Sequence, residues 1–235
     1  LRRARGFGPH DPRLEVWRAS RYIPETRESG AYDEYSSASP ANFRPSPGWA
    51  CWLVSRTRHR VATSVEGRSA VTTTPYPVVL HPGWNQIGNP FGFRVAWESV
   101  QRGSTVEDPV FFDPHSAAYV YDPPVLEPFT GYFVYNRSRR DVTILVPAVG
   151  DAVLDGVGDV GATGKAAGVA RRQSLDPPPE VASFERWRLR LRTSTARAVD
   201  LATVLGVDPA ASDGWDRLDG RKAPPAPGSW VEASI

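Results

Sequence analysis

Ala50-Cys-Trp-Leu-Val-Ser-Arg-Thr-Arg-His-Arg-Val61 and Gly131-Tyr-Phe-Val-Tyr-Asn-Arg-Ser-Arg-Arg-Asp-Val142 align without a gap at an offset of 81. Each passes from an apolar run, through a polar turn holding two or three arginines, into a second strand-like run. The turns are Ser55-Arg-Thr-Arg58 and Asn136-Arg-Ser-Arg139. Aromatic and β-branched runs suit a pleated, half-buried surface, and polar residues between two of them signal a β-hairpin. Upstream, Tyr32 and Tyr35 precede Phe43 and the Pro47-Gly48 turn, as Tyr119 and Tyr121 precede Phe129 and Gly131. Each half therefore reads as tyrosine strand, loop, aromatic anchor, turn and hairpin. Two copies are too few for a solenoid. The expectation is two antiparallel β units packed face to face over one aromatic core. Cys51 falls opposite Tyr132 and reads as a core substitution.

Between the copies, Val78 to Leu80 reads as a strand ending at the Pro82-Gly83 turn. Trp84 to Ile87 alternates with the period of a half-buried strand, and Asn89-Pro90 breaks it. The rest of the chain agrees with an all-β class. Its 23 prolines and 20 glycines are spread as punctuation, and most of its eight Trp, eight Tyr and nine Phe fall between them. No long stripe of helical period occurs.

With 235 residues the chain can bury one large or two modest cores. A net charge of +2, from 28 basic and 26 acidic residues, gives no electrostatic case for nucleic acid or an anionic membrane surface. No apolar run approaches the roughly 18 residues of a membrane helix, so no membrane insertion is expected. Only two of the basic residues are lysines, Lys165 and Lys222. The basic start, Leu1-Arg-Arg-Ala-Arg-Gly6, lacks the apolar region of a signal peptide. Methionine is absent, so the chain reads as a processed protein or a segment of a longer one. Cys51 is alone, which excludes an internal disulfide and a cysteine metal cluster.

Three regions are expected: a repeated β domain over 12–149, a Gly/Pro-rich linker over 150–180 and a partial β-sandwich-like unit over 181–235. The linker is small and nearly free of aromatics up to Gly168 and closes with Pro177-Pro-Pro179. In the last unit Trp187, Leu189 and Leu191 alternate with Arg188, Arg190 and Arg192. That pattern predicts a strand with its apolar residues on a core and its arginines in water. Ala198 to Ala202 is a candidate partner strand.

Catalytic equipment is sparse. Gly156-Val-Gly-Asp-Val-Gly161 satisfies G-x-G-x-x-G but lacks the flanking strand and helix of a dinucleotide fingerprint, and reads as linker. Gly164-Lys165 lacks the other P-loop positions. His10, His59, His81 and His115 show no metal-ligand spacing and sit beside turn signals. No serine lies in a G-x-S-x-G elbow. Asp208, Asp213, Asp216 and Asp219 do not match an EF-hand loop and read as turn formers. Glu107 and Asp108 likewise read as turn residues rather than a glycosidase pair. No catalytic residue, metal site or cofactor is assigned. Trp17, Trp49, Trp52, Trp84 and Trp97 could form a platform for sugar rings, although burial of large rings in a core is the commoner use.

Pro82-Gly-Trp-Asn-Gln-Ile-Gly-Asn-Pro-Phe91 followed by Val95-Ala-Trp-Glu-Ser-Val100 resembles a module of very large secreted or surface proteins of several bacterial phyla. Val16 to Tyr22, Gly30 to Tyr35, Phe43 to Ser55 and Leu126 to Asn136 match the same pattern, with Cys51 departing from an expected aromatic. The likeness spans about residues 12 to 150. Leu205 to Asp219 and the proline-rich Ala223 to Gly228 also resemble a β-sandwich module of secreted bacterial proteins. The resemblance implies an extracellular or cell-surface accessory module and no reaction. The expected function is therefore a non-catalytic structural or interaction module, partnered by neighbouring domains of its parent chain. The alternative is a carbohydrate-binding module with a glycan partner held on exposed tryptophans.

Overall fold

The computed structural model describes residues 17–24, 32–35, 43–56, 69–116, 118–150, 186–195, 199–212 and 219–227. The protein is all-β. The described strands are β1 (Trp17–Tyr22), β2 (Tyr32–Glu34), β3 (Trp52–Ser55), β4 (Tyr76–Leu80), β5 (Gly83–Gly88), β6 (Val95–Ala96) and β7 (Val110–Asp113). They continue with β8 (Ala118–Tyr121), β9 (Val125–Leu126), β10 (Gly131–Asn136), β11 (Val142–Val146), β12 (Trp187–Ser194) and β13 (Val199–Val207). Every pairing is antiparallel. The sheets run β2-β1-β3, β5-β10-β7-β8, β11-β4, β12-β13 and β6-β9.

The centre of the fold is a bent ribbon of two chain segments. β4 pairs with β11 from Tyr76↔Val146 to Leu80↔Val142, and β5 pairs with β10 from Gly83↔Asn136 to Gly88↔Gly131. His81 and Pro82 separate the ladders on one segment, and Arg137 to Asp141 separate them on the other. The longer outer path lets the ribbon turn a corner from one sheet into the next, as bulged strands do in packed sheets. Two buried asparagines hold that corner. Asn85 Oδ1 accepts from His81 N at 2.8 Å while its Nδ2 donates to His81 O and Gly83 O. Asn136 Oδ1 accepts from Ser138 N at 2.9 Å while its Nδ2 donates to Arg140 O and Leu80 O. Each amide uses both donors and its acceptor, so neither is an uncompensated polar group in the core.

Val78, Leu80, Ile144 and Val146 from one side of the corner meet Ile87, Tyr132 and Val134 from the other, with Val95, Trp97 and Leu126 completing the main core. β10 is buried on both faces. Tyr132, Val134 and Asn136 point into this core, and Phe133 points into a second cluster on the opposite side. A third cluster joins Trp17, Ala19, Tyr35 and Phe43 over the β2-β1-β3 sheet. That sheet reaches β5 through the Trp49↔Ile87 bridge and Gly88 N donating to Gly48 O at 3.0 Å.

Several sequence expectations hold. β4 ends at the Pro82-Gly83 turn, where Gly83 takes φ 89°, and β5 stops before Asn89-Pro90. Others need correction. Asn136-Arg-Ser-Arg139 does not close a hairpin, because β10 pairs with β5 and β7 while β11 pairs with β4. The turn carries the chain between sheets instead. The two motif copies also occupy unlike places, since β3 is an edge strand and β10 an interior one. Residues 57–68, with the second run of the first copy, lie outside the described residues. Phe129 is not an anchor like Phe43. It sits at φ 60° on a turn and is 96% exposed, whereas Phe43 is buried.

The C-terminal unit departs from expectation too. β12 and β13 pair as a hairpin, Trp187↔Val207 to Ser194↔Val199, with a register shift between Leu191 and Thr193. Trp187 and Leu189, expected on a core, are 46% and 50% exposed. No further strand pairs with these two among the described residues. Among the described side chains of the pair, Asp200 and Thr203 are buried and Leu191, Thr193 and Leu205 half-buried. Most of the 150–180 linker, with the glycine motif at 156–161 and Lys165, lies outside the described residues, as do Asp213 and Asp216.

Candidate functional site

The second cluster is the feature with most chemistry in it. Phe133 projects from β10 away from the main core. Tyr22 from β1 meets it edge-on at 5.5 Å, Trp84 from β5 at 6.3 Å and Tyr119 from β8 at 6.4 Å, while Trp52 from β3 lies tilted to it at 6.4 Å. Tyr22 also meets Tyr32 edge-on at 5.6 Å, and Phe112 bridges Trp52 and Tyr119. Edge-to-face packing aligns ring edges with ring faces, so such a cluster is ordered as well as apolar. Seven strands of two sheets thus contribute rings to one aromatic face.

A segment from the other end of the chain lies across that face. Ala223 and Pro224 are buried on it, Ala223 in the cluster with Tyr22, Val110 and Phe133. Tyr32 Oη donates to Pro225 O at 2.6 Å and accepts from Trp52 Nε1 at 3.2 Å. Tyr119 Oη donates to Pro224 O. Prolines at 224, 225 and 227 fix φ near −65° and push the residue before each one towards extended backbone. A chain of that kind has no internal hydrogen bonds, and its carbonyls face outward for external donors. The two hydroxyls supply those donors where water is excluded. Burial pushes both phenols well above the usual tyrosine range, so they remain protonated donors at any ordinary pH.

Charged residues flank the segment. The Arg221 guanidinium lies 4.4 Å from the Tyr135 ring centroid, and its Nε is 3.6 Å from Glu107 Oε1. Lys222 Nζ reaches Asp200 Oδ2 at 2.7 Å and Thr203 Oγ1, both on β13 and both buried. The segment is therefore gripped on one side by the aromatic face and on the other by the β12-β13 hairpin.

The residues singled out from the sequence fall elsewhere or serve packing. Trp17 is buried and stacked on Tyr35 at 5.6 Å, and Trp97 is buried with Nε1 donating to Asp108 at 2.7 Å. Trp49 meets Phe43 edge-on. Only Trp52 and Trp84 of the five join the aromatic face, half-buried against other rings. Trp187, on the hairpin, is the one strongly exposed tryptophan among the described residues.

His81 lies on an exposed loop with Nδ1 3.0 Å from Asp141, and His115 sits in an exposed turn capped by Asp113. His10 and His59 lie outside the described residues. Asp208 accepts from Ala210 N and pairs with Arg186, as a turn former would. Glu107 pairs with Arg137 as well as Arg221. Asp108 and Arg102 line an open hollow of about 680 Å³ with Glu98, Ser99 and Gln101. Arg102 already stacks on Trp97 and bonds its carbonyl there. Among the described residues no three His, Cys, Asp or Glu side chains come together as a metal site. No described helix is long and apolar enough to cross a membrane.

In the sequence Tyr32 and Tyr119 mark the repeat and show no task, and Ala223 to Gly228 group with the sandwich pattern. The usable signal was a tyrosine at the head of each half and a proline-rich run far downstream. Comparison with family models, curated proteins and solved structures gave no match.

Proposed function

We propose that the protein is a non-catalytic structural or interaction module of a secreted or surface-attached bacterial protein. One observation carries the interaction half of this reading. Polar groups of the aromatic face hold polypeptide, with Tyr32 and Tyr119 donating to the main-chain carbonyls of Pro225 and Pro224. Side-chain hydroxyls aimed at backbone carbonyls recognise an extended chain without chemical change to it. The export half rests on the likeness of Pro82 to Phe91 and Val95 to Val100 to modules of large bacterial surface proteins.

Protease accessibility on the producing cells tests this reading. Antibody against the module should detect it on intact cells or in the medium, and added protease should remove the cell-bound signal without lysis. Detection only after lysis would overturn the assignment. A glycan array probed with the purified chain should stay blank.

A further inference from the structure

We propose that the aromatic face around Phe133 is a binding groove for extended proline-rich peptide of a separate polypeptide, gated by the chain's own Ala223–Pro227 segment. This deepens the interaction-module reading and rests on it. The seated segment supplies the ligand chemistry. Ala223 buries its methyl group among the rings, Pro224 is buried next to it, and the Pro224 and Pro225 carbonyls accept from Tyr119 and Tyr32. Neither tyrosine contact depends on which side chain the peptide carries. What the groove reads is a fixed extended backbone with carbonyls at the right spacing, which proline-rich sequence provides before binding and at low entropic cost. Aromatic-lined grooves take such segments in this way generally. Arg221, two places before the buried Ala223, adds direction, since it lies on Tyr135 beside Glu107.

The resident segment can leave the groove without unpairing a strand. It belongs to no β-ladder, so its departure breaks no strand pairing. Pro225, Ala226 and Pro227 are only partly buried. Tethering gives it an effective concentration in the millimolar range, so a peptide from outside must outcompete it.

The test uses the full chain in two forms, the parent and a vacated variant carrying Ala223→Gly, Pro224→Ser, Pro225→Gly, Ala226→Ser and Pro227→Gly. The probe is the synthetic peptide Arg-Lys-Ala-Pro-Pro-Ala-Pro, titrated calorimetrically, with tryptophan fluorescence as a second readout because Trp52 and Trp84 border the groove. The vacated variant should bind one peptide saturably, and the parent about tenfold or more weaker. In the vacated background Tyr32→Phe and Tyr119→Phe should each weaken binding about 3- to 10-fold. A peptide with alanine at each proline should bind about tenfold weaker.

No saturable binding by a folded vacated variant, or equal binding of the alanine peptide, would overturn the proposal. So would a concentration-dependent dimer of the parent that the vacated variant loses, because that assigns the groove to a second copy. If the vacated variant does not fold, Pro225→Ala in the parent should raise peptide affinity, and an unchanged or lower affinity counts against the groove. Loss of peptide binding leaves surface exposure on cells untouched, and intracellular retention leaves peptide binding untouched, so the two readings fail separately.

Discussion

Cys51 packs beside Trp49 against the cluster of Trp17, Ala19, Tyr35 and Phe43, and burial pushes its thiol pKa from 9.0 to about 11. Tyr132, buried in the main core, is pushed up to about 12 from the usual 10.0 by the same cause. Both groups keep a proton when folded that they lose when unfolded. Their contribution is therefore complete below about pH 9 and falls as pH rises through the folded values. Urea midpoints should hold steady from pH 7 to 9 and decline between pH 9 and 12. Cys51→Ala should flatten the part of that decline that starts near pH 9 and leave the tyrosine part. Equal slopes in parent and variant would show that the thiol is not linked to folding. The sequence identified Cys51 as a core position from its place opposite Tyr132. It could not show that the two residues lie in separate cores, because alignment conveys strand phase and not the face a strand packs against.

Strands illustrate the same limit one level up. The boundaries of β4 and β5 were readable because Pro82-Gly83 and Asn89-Pro90 act locally through backbone geometry. Asn136-Arg-Ser-Arg139 is a turn, as its residues predict, but not a hairpin, since a turn's residues do not choose its strands' partners. Burial of Val134, Ile144 and Val146 decides that, and draws β10 and β11 into different sheets. In β12 the period was right and the covering layer was not, because alternation says which residues share a face and nothing about what lies over it.

Gly88 shows how closely neighbouring segments approach. A Cβ there would stand 2.8 Å from Trp49 O, a backbone atom that cannot swing away, and beside the bond from Gly88 N to Gly48 O. Gly88→Ala should cost about 1–3 kcal/mol in urea unfolding. Gly92→Ala, where a Cβ meets nothing within 4 Å, should stay within about 0.5 kcal/mol. A silent Gly88→Ala would mean that the Trp49↔Ile87 bridge does not fix the two sheets together.

At the scale of the whole molecule, the join between the hairpin and the aromatic face depends on few groups. Lys222 supplies a cation to Asp200, whose side chain is only 8% exposed, and Thr203 donates to the same carboxylate at 2.8 Å. Removing the lysine leaves a buried carboxylate without its cation. Lys222→Ala should cost about 1.5–3 kcal/mol of local stability. The expected record is faster amide exchange in β13 and around residues 221–226, with exchange in β5 and β10 unchanged. Uniform acceleration across all strands would mean that the two units unfold as one. None of this join was legible in the sequence. Tyr32 and Pro225 are 193 positions apart, and no local pattern links a tyrosine to a carbonyl at that distance. The all-β class was legible, because it follows from short-range composition and punctuation repeated along the chain.

The bent ribbon has a consequence for how the polypeptide is made. Gly131 pairs with Gly88, 43 residues earlier, and Val146 with Tyr76, 70 residues earlier. On a ribosome adding roughly 5–20 residues per second, β4 and β5 would wait several seconds for partners that do not yet exist. Their open edges could recruit other nascent strands in that interval. The order of synthesis thus places this fold's greatest hazard before its core can close.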